Sequence, residues 1–197
     1  MSFLTGTQVE HVYTLLSSVT QNTYTTARVI SAATTPAAPR AIIPANFFGA
    51  IPNGVGRSLI VEGFGTVGAT TGTNNLTLAL AFGTTPGTVG TTVVTMLNAY
   101  TVTASLSGGG FNFKAKLECT ANIGGATGVT VQADGWLNVG VVAAGTSSTA
   151  PNQVFFSTST ASLPGEAAYE LQLVGTWSAS NAANTTTLKQ FDIYGTD

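Results

Sequence analysis

From residue 58 onward, apolar and polar residues alternate almost one by one. The clearest run is FNFKAKLECTANI, residues 111–123. Phe111, Phe113, Ala115, Leu117, Cys119, Ala121 and Ile123 fall on one side, and Asn112, Lys114, Lys116, Glu118, Thr120 and Asn122 fall on the other. Successive side chains of an extended strand point to opposite faces, so a period of two marks a strand buried on one face. The same rhythm recurs in SLIVEGFGTV (58–67), NLTLALAFG (75–83), TTVVTML (91–97), YTVTASL (100–106), VTVQADGWLNVGVVA (129–143), AYELQLVGTWS (168–178) and TTLKQFDIYG (186–195). Turns rich in Gly, Asn and Thr separate these runs at intervals of about 8–15 residues. Eight such strands without a helical pattern predict an all-β fold, an antiparallel β-sandwich. A jelly-roll-like arrangement is the expected form, because eight strands in two sheets is its usual count, with a plain Greek-key sandwich as the alternative.

The first 57 residues read differently. QVEHVYTLLSSV, residues 8–19, suits a short amphipathic helix or a strand equally. Residues 30–54 hold four of the seven prolines, a spacing that favours extended chain over sheet interior. The predicted organisation is therefore an extended N-terminal arm, 1–57, crossing a surface and ending at an Asn53-Gly54 turn, followed by a β-sandwich domain, 58–197. Charge divides at the same boundary. The arm holds Arg28, Arg40 and Arg57 against Glu10, and the remainder carries a net −4. Arginine suits bidentate pairing with carboxylates at interfaces, so these three are candidate contacts to an acidic partner. Three solvated arginines would look the same in sequence.

Only 7% of the 197 residues are charged, against about 25% in ordinary globular domains. The face opposite the leucines of NLTLALAFG shows the effect: Thr77, Ala79 and Ala81 carry no charge where water is expected. Threonine-rich faces make good sheet surfaces and can be covered without stranding a charge. Cover by partner protein is the expectation here, although a solvated Thr-rich sheet has the same composition. The net charge of −2 and a pI near 5.2 provide no basic field for nucleic acid. No run of about 18 apolar residues predicts a membrane-spanning helix, and MSFLTGTQVEHVY lacks the regions of an export signal.

Catalytic chemistry finds few residues to use. Gly63-Phe64-Gly65-Thr66-Val67-Gly68 matches a dinucleotide-binding glycine pattern, but the strand that follows replaces the helix such a site needs. The bland reading is glycines easing a strand. His11 is the only histidine and Cys119 the only cysteine, too few for a zinc site. Cys119 falls on the core face, as an inert small hydrophobe. Glu166 and Glu170 could be a glycosidase pair only if they converged, and both read as surface acids. Asp134-Gly135 and Asn74-Asn75 are too sparse for calcium. The sequons at Asn75 and Asn184 mean little without a secretion signal. Trp177 shares a face with Tyr169, Leu171 and Leu173 and reads as core. Trp136 falls on the more exposed face and is a candidate interface anchor. The expectation is a non-enzymatic protein with no catalytic, cofactor or metal residues.

Two segments carry a resemblance. LIVEGFGTVGATTGTNNLTLALAFGTT and ELQLVGTWSASNAANTTTLKQFDIYG resemble structural proteins of tailed-bacteriophage virions. That group shows an L-x-V-x-A-x-G strand followed by T-T-G-T-x-x-L-T-L, corresponding here to Leu59 to Leu78 with Gly63 in the alanine position. Nearer its C-terminus it shows T-W-x-x-A-x-x-x-N-T-x-T-x-x-Q, corresponding here to Thr176 to Gln190 with Ser180 in the alanine position. The resemblance implies a capsid decoration or cement protein, commonly trimeric, made in the host cytoplasm and seated on the capsid exterior. Its partners would be the major capsid protein and copies of itself. Similar strands serve in tails and fibres, where the alternative is a module binding host surface glycan. Such a module would carry an exposed cluster of aromatic and acidic residues.

Overall fold

Alternation translates into strands throughout. The structure, a computed structural model, describes residues 9–32, 39–48, 57–69, 74–102, 106–122, 128–140, 152–163 and 167–196. They form β1 (Val9–Thr14), β2 (Val19–Asn22), β3 (Arg28–Val29), β4 (Ile42–Ile43), β5 (Ser58–Ala69), β6 (Asn74–Gly83), β7 (Thr91–Val102), β8 (Leu106–Asn122), β9 (Val129–Gly140), β10 (Asn152–Leu163), β11 (Tyr169–Trp177) and β12 (Thr185–Thr196). A seven-stranded sheet runs β1-β12-β5-β8-β9-β10, with β2 also on β12. A five-stranded sheet runs β3-β11-β6-β7, with β4 also on β11. Every pairing is antiparallel. The protein is an antiparallel β-sandwich, as the alternation requires.

Its core lies between the sheets. Leu76, Leu78, Leu80 and Phe82 of β6 and Tyr169, Leu171, Leu173 and Trp177 of β11 face Phe111, Phe113, Ala115, Leu117 and Cys119 of β8 and Val131, Ala133, Leu137 and Val139 of β9, all buried in one cluster. Trp177 is fully buried, and its indole N–H must be satisfied there. Nε1 donates to Thr186 Oγ1 at 3.2 Å, which also accepts from the Tyr24 hydroxyl at 3.0 Å. Asn184 is fully buried too. It donates to Ala179 O, accepts from Asn74, and so closes the β11–β12 turn. The Trp, Asn and Thr of the segment Thr176–Gln190 thus serve packing and turn closure, and the Asn184 sequon is inaccessible to a glycan. The paired glycines of β5 admit aromatic rings from β8. A Cβ on Gly63 would lie 2.6 Å from the Phe113 ring, and one on Gly65 would meet the Phe111 ring and Thr187 O.

Strand order reports a wound hairpin. β5 pairs β12, β6 pairs β11 and β8 pairs β9. β7 and β10 would complete the nesting of a jelly roll, yet they lie at the edges of different sheets. They pack against each other across one flank of the sandwich. Two runs expected as separate strands, 91–97 and 100–106, differ from expectation. β7 continues to Val102 through irregular pairing with β6 and a left-handed turn of backbone at Ala99, φ 48°. β10 is an addition, since a run of Ser and Thr from Ser157 to Thr160 mutes its alternation.

The N-terminal residues close the opposite flank. β1 and β2 extend one sheet at β12, while β3 and β4 extend the other at β11. Leu15, Val19, Tyr24, Ile30, Ile43, Phe47 and Phe48 join the same core. Residues 9–32 and 39–48 do cross a surface, but it is the surface of their own chain. Asn53-Gly54 lies outside the described residues.

The outer face of the five-stranded sheet is buried along β6 and β11 at Ala79, Ala81 and Glu170, while Thr77 stays half-buried and Thr92 and Thr95 of β7 are exposed. Ala81 is 0% exposed and Ala79 7%, flanked by Gln172 and Val174 of β11, so the chain itself covers them. Glu170, expected on a solvent face, is 2% exposed. Arg40 Nη1 donates to its Oε1 at 2.8 Å, and the Gly87 amide and Gln172 Nε2 donate to its Oε2. Gln172 also donates to Thr88 O and accepts from the Gly90 amide. A buried carboxylate needs such partners. Here they fasten the β6–β7 turn onto β11.

Candidate binding face

The outer face of the seven-stranded sheet is built in the opposite way. Cross-strand register aligns Phe155, Trp136, Lys114, Glu62 and Asp192 in one row. The next row is Gln153, Asn138, Asn112, Phe64 and Gln190. A third aligns Ser157, Asp134, Lys116, Ile60 and Tyr194. Alternation along β5, β8 and β9 turns these side chains outward while their neighbours fill the core.

Two ion pairs on this face are wet. Lys114 Nζ meets Glu62 Oε1 at 2.6 Å and Lys116 meets Glu118 at 2.5 Å. Exposed pairs of this kind add little stability. Ser157 donates to Asp134 Oδ1 at 2.5 Å, and Asp192 at the end of the first row is buried. Asn138 Nδ2 donates to Asn112 Oδ1 at 3.0 Å. Phe64 is 43% exposed and Phe155 74%, large apolar areas for a face that also carries ion pairs.

Two grooves open on this face. One, of about 770 Å³, is lined by Phe64, Thr66, Asn112, Asn138, Gln153 and Lys189 over a floor that includes Gly110 and Gly140. The other, of about 420 Å³, is lined by Phe64, Glu62, Asn112, Lys114, Trp136 and Gln190. They share Phe64 and Asn112, so they form one trough with the Phe64 ring at its middle.

Of the four residues expected as partner contacts, Arg28, Arg40, Arg57 and Trp136, only Trp136 lies here, partly exposed. Arg40 is held by Glu170 within the chain. Arg57 donates to Phe47 O at 2.7 Å and lies over the Phe47 ring, 4.8 Å from its centroid. Arg28 donates to Gln21 Oε1 at 3.4 Å and lies 5.5 Å from the Tyr24 ring centroid. The three arginines are spread along the N-terminal flank, each engaged with its own chain, rather than gathered into one docking patch. Phe64, Asn112 and Asn138 escaped the sequence reading. The available signal was a phenylalanine on the side of β5 that carries Glu62. Phe155 lies in a segment with no strand signal.

Among the described residues, His11, Cys119 and Glu170 lie apart from one another on β1, β8 and β11. His11 Nε2 lies 2.6 Å from Thr14 Oγ1 on the exposed face of β1. Burial raises the Cys119 thiol above its ordinary pKa, which keeps it protonated and unreactive. Glu170 is committed to Arg40, and Glu166 lies outside the described residues. Among the described residues no group of three or more His, Cys, Asp or Glu gathers as a metal site. No family model, curated protein or solved structure matches the chain.

Proposed function

We propose that the chain is a non-enzymatic structural protein of a tailed-phage virion, a decoration or cement protein that associates with copies of itself and with the major capsid protein on the shell exterior. One observation carries the self-association. β7 and β10 are edge strands that meet on one flank, and neither contains a single charged residue. Thr91, Thr92, Thr95, Thr101, Gln153 and Phe155 are all exposed there. Edge strands of monomers are ordinarily guarded by charge, proline or cover, because their free backbone groups pair with other chains. A long neutral flank with an exposed phenylalanine suits burial against a partner. The wording of Leu59–Leu78 and Thr176–Gln190 supports the virion setting, and a homotrimer is the assembly that accompanies it.

Stability on a lattice would then come from area shared by many copies, through mass action. Light scattering on the purified chain tests the first half. The expected result is an oligomer at micromolar concentration that lysine at Phe155 or Thr95 dissociates. Mixing with undecorated capsids tests the second half, with raised heat resistance expected. A chain that stays monomeric and binds no shell would overturn the proposal.

A further inference from the structure

We infer that the trough on the outer face of β5, β8 and β9 is a binding site for an uncharged oligosaccharide. Its middle is the Phe64 ring, 43% exposed, with Trp136 in the adjoining groove. Flat apolar rings of this kind offer a platform for the C–H face of a pyranose, while the polar rim fixes orientation. The rim is made of amides: Asn112, Asn138 and Gln153 on one side of Phe64 and Gln190 on the other. Asn138 Nδ2 is spent on Asn112 Oδ1. Asn112 Nδ2 and Asn138 Oδ1 have no hydrogen-bond partner among the described residues. One neutral donor and one neutral acceptor therefore stand together beside an aromatic ring, matching neighbouring hydroxyls on a sugar.

Other occupants fit less well. An apolar peptide would bury the amides without partners, at a cost for each. A polyanion would need cations, but Lys114 is already held by Glu62, leaving Lys189 in a chain of net charge −2. The floor is cleared for a ligand. Gly110 and Gly140 face each other across β8 and β9, and a Cβ on Gly110 would meet nothing within 4 Å. The trough adjoins the β7–β10 flank at Gln153 of β10, but Phe64, Asn112 and Asn138 lie on β5, β8 and β9, so a glycan seated on Phe64 would serve a particle at its shell or its tail.

The open space at Gly110 makes a clean test, because a leucine there fills the trough without displacing the core. The full chain would be screened on an array of neutral and acidic oligosaccharides, and the ligands found would be titrated by calorimetry. Binding of neutral hexose oligosaccharides is expected. Phe64→Ala and Gly110→Leu should each weaken it by about ten-fold or more, with the melting temperature unchanged, and Lys116→Ala should bind as the parent does. Three results would overturn the site. One is no binding on the array. Another is binding restricted to acidic glycans, or indifferent to both trough variants. The third is loss of self-association in Gly110→Leu without any glycan bound, which would make the face an interface between copies.

Discussion

Arg40–Glu170 and Lys114–Glu62 are both ion pairs on the outside of a sheet, at 2.8 and 2.6 Å. Their surroundings could hardly differ more. The side chains of the first are 8% and 1% exposed, those of the second 50% and 41%. On the five-stranded sheet Arg40 and the β6–β7 turn close over Glu170. On the seven-stranded sheet the face around Phe64 is open, with two exposed ion pairs and aromatic rings in water. A scarcity of charge overall therefore conceals two surfaces of unlike construction, one carrying a buried ion pair and one carrying exposed ion pairs.

The largest effect should come from breaking the sealed pair. Arg40→Ala leaves the Glu170 carboxylate buried without its counter-ion, and a loss of about 3–5 kcal/mol is expected, measured by urea denaturation. The turn over that pair comes next. A Cβ at Gly90 would run into Phe82 O, so Gly90→Ala should cost about 1–3 kcal/mol and loosen the turn in amide exchange.

Alkali probes buried phenols on the closed N-terminal flank and in the core. Burial pushes Tyr169 up to about 12 and raises Tyr24 and Tyr13, the last also beside the Glu170 carboxylate. A folded pKa above the unfolded value means that the unfolded chain ionises first. The contribution is complete below pH 10 and is lost as pH rises from there toward about 12. Unfolding midpoints should hold steady up to about pH 10 and fall beyond it, together with the ultraviolet signature of tyrosinate. The open face should respond least. Lys114→Ala or Glu62→Ala should change stability by about 0–1 kcal/mol, and added salt should shrink even that. A loss at Lys114 comparable to that at Arg40 would erase the distinction between the two faces.

The polypeptide pattern legibly announces much of this molecule. β5, β6, β9, β11 and β12 appear as alternating runs close to their observed bounds, β8 appears from Phe111 although it begins at Leu106, and the core faces of Trp177 and Cys119 follow from parity alone. β10 was invisible because Ser and Thr suit either side of a strand and leave little contrast between faces. Glu170 was misread for a related reason. A glutamate at an alternating position looks solvated until its partner is known, and Arg40 lies 130 residues away. Residues 1–57 look like an extended arm crossing a surface, by the prolines of 30–54, and the described part pairs as strands with β12 and β11, one in each sheet.

What the sequence determined by itself was therefore local: which residues are extended, and which of two sides each side chain takes, because that parity is a property of the backbone alone. What only the tertiary structure decided was adjacency. It chose which strand lies beside which, which part of an outer face the chain covers with its own residues, and which rows of side chains register across β5, β8 and β9 to make a trough. Those outcomes depend on contacts between segments far apart in the chain, where desolvation and pairing act on residues that no local pattern connects.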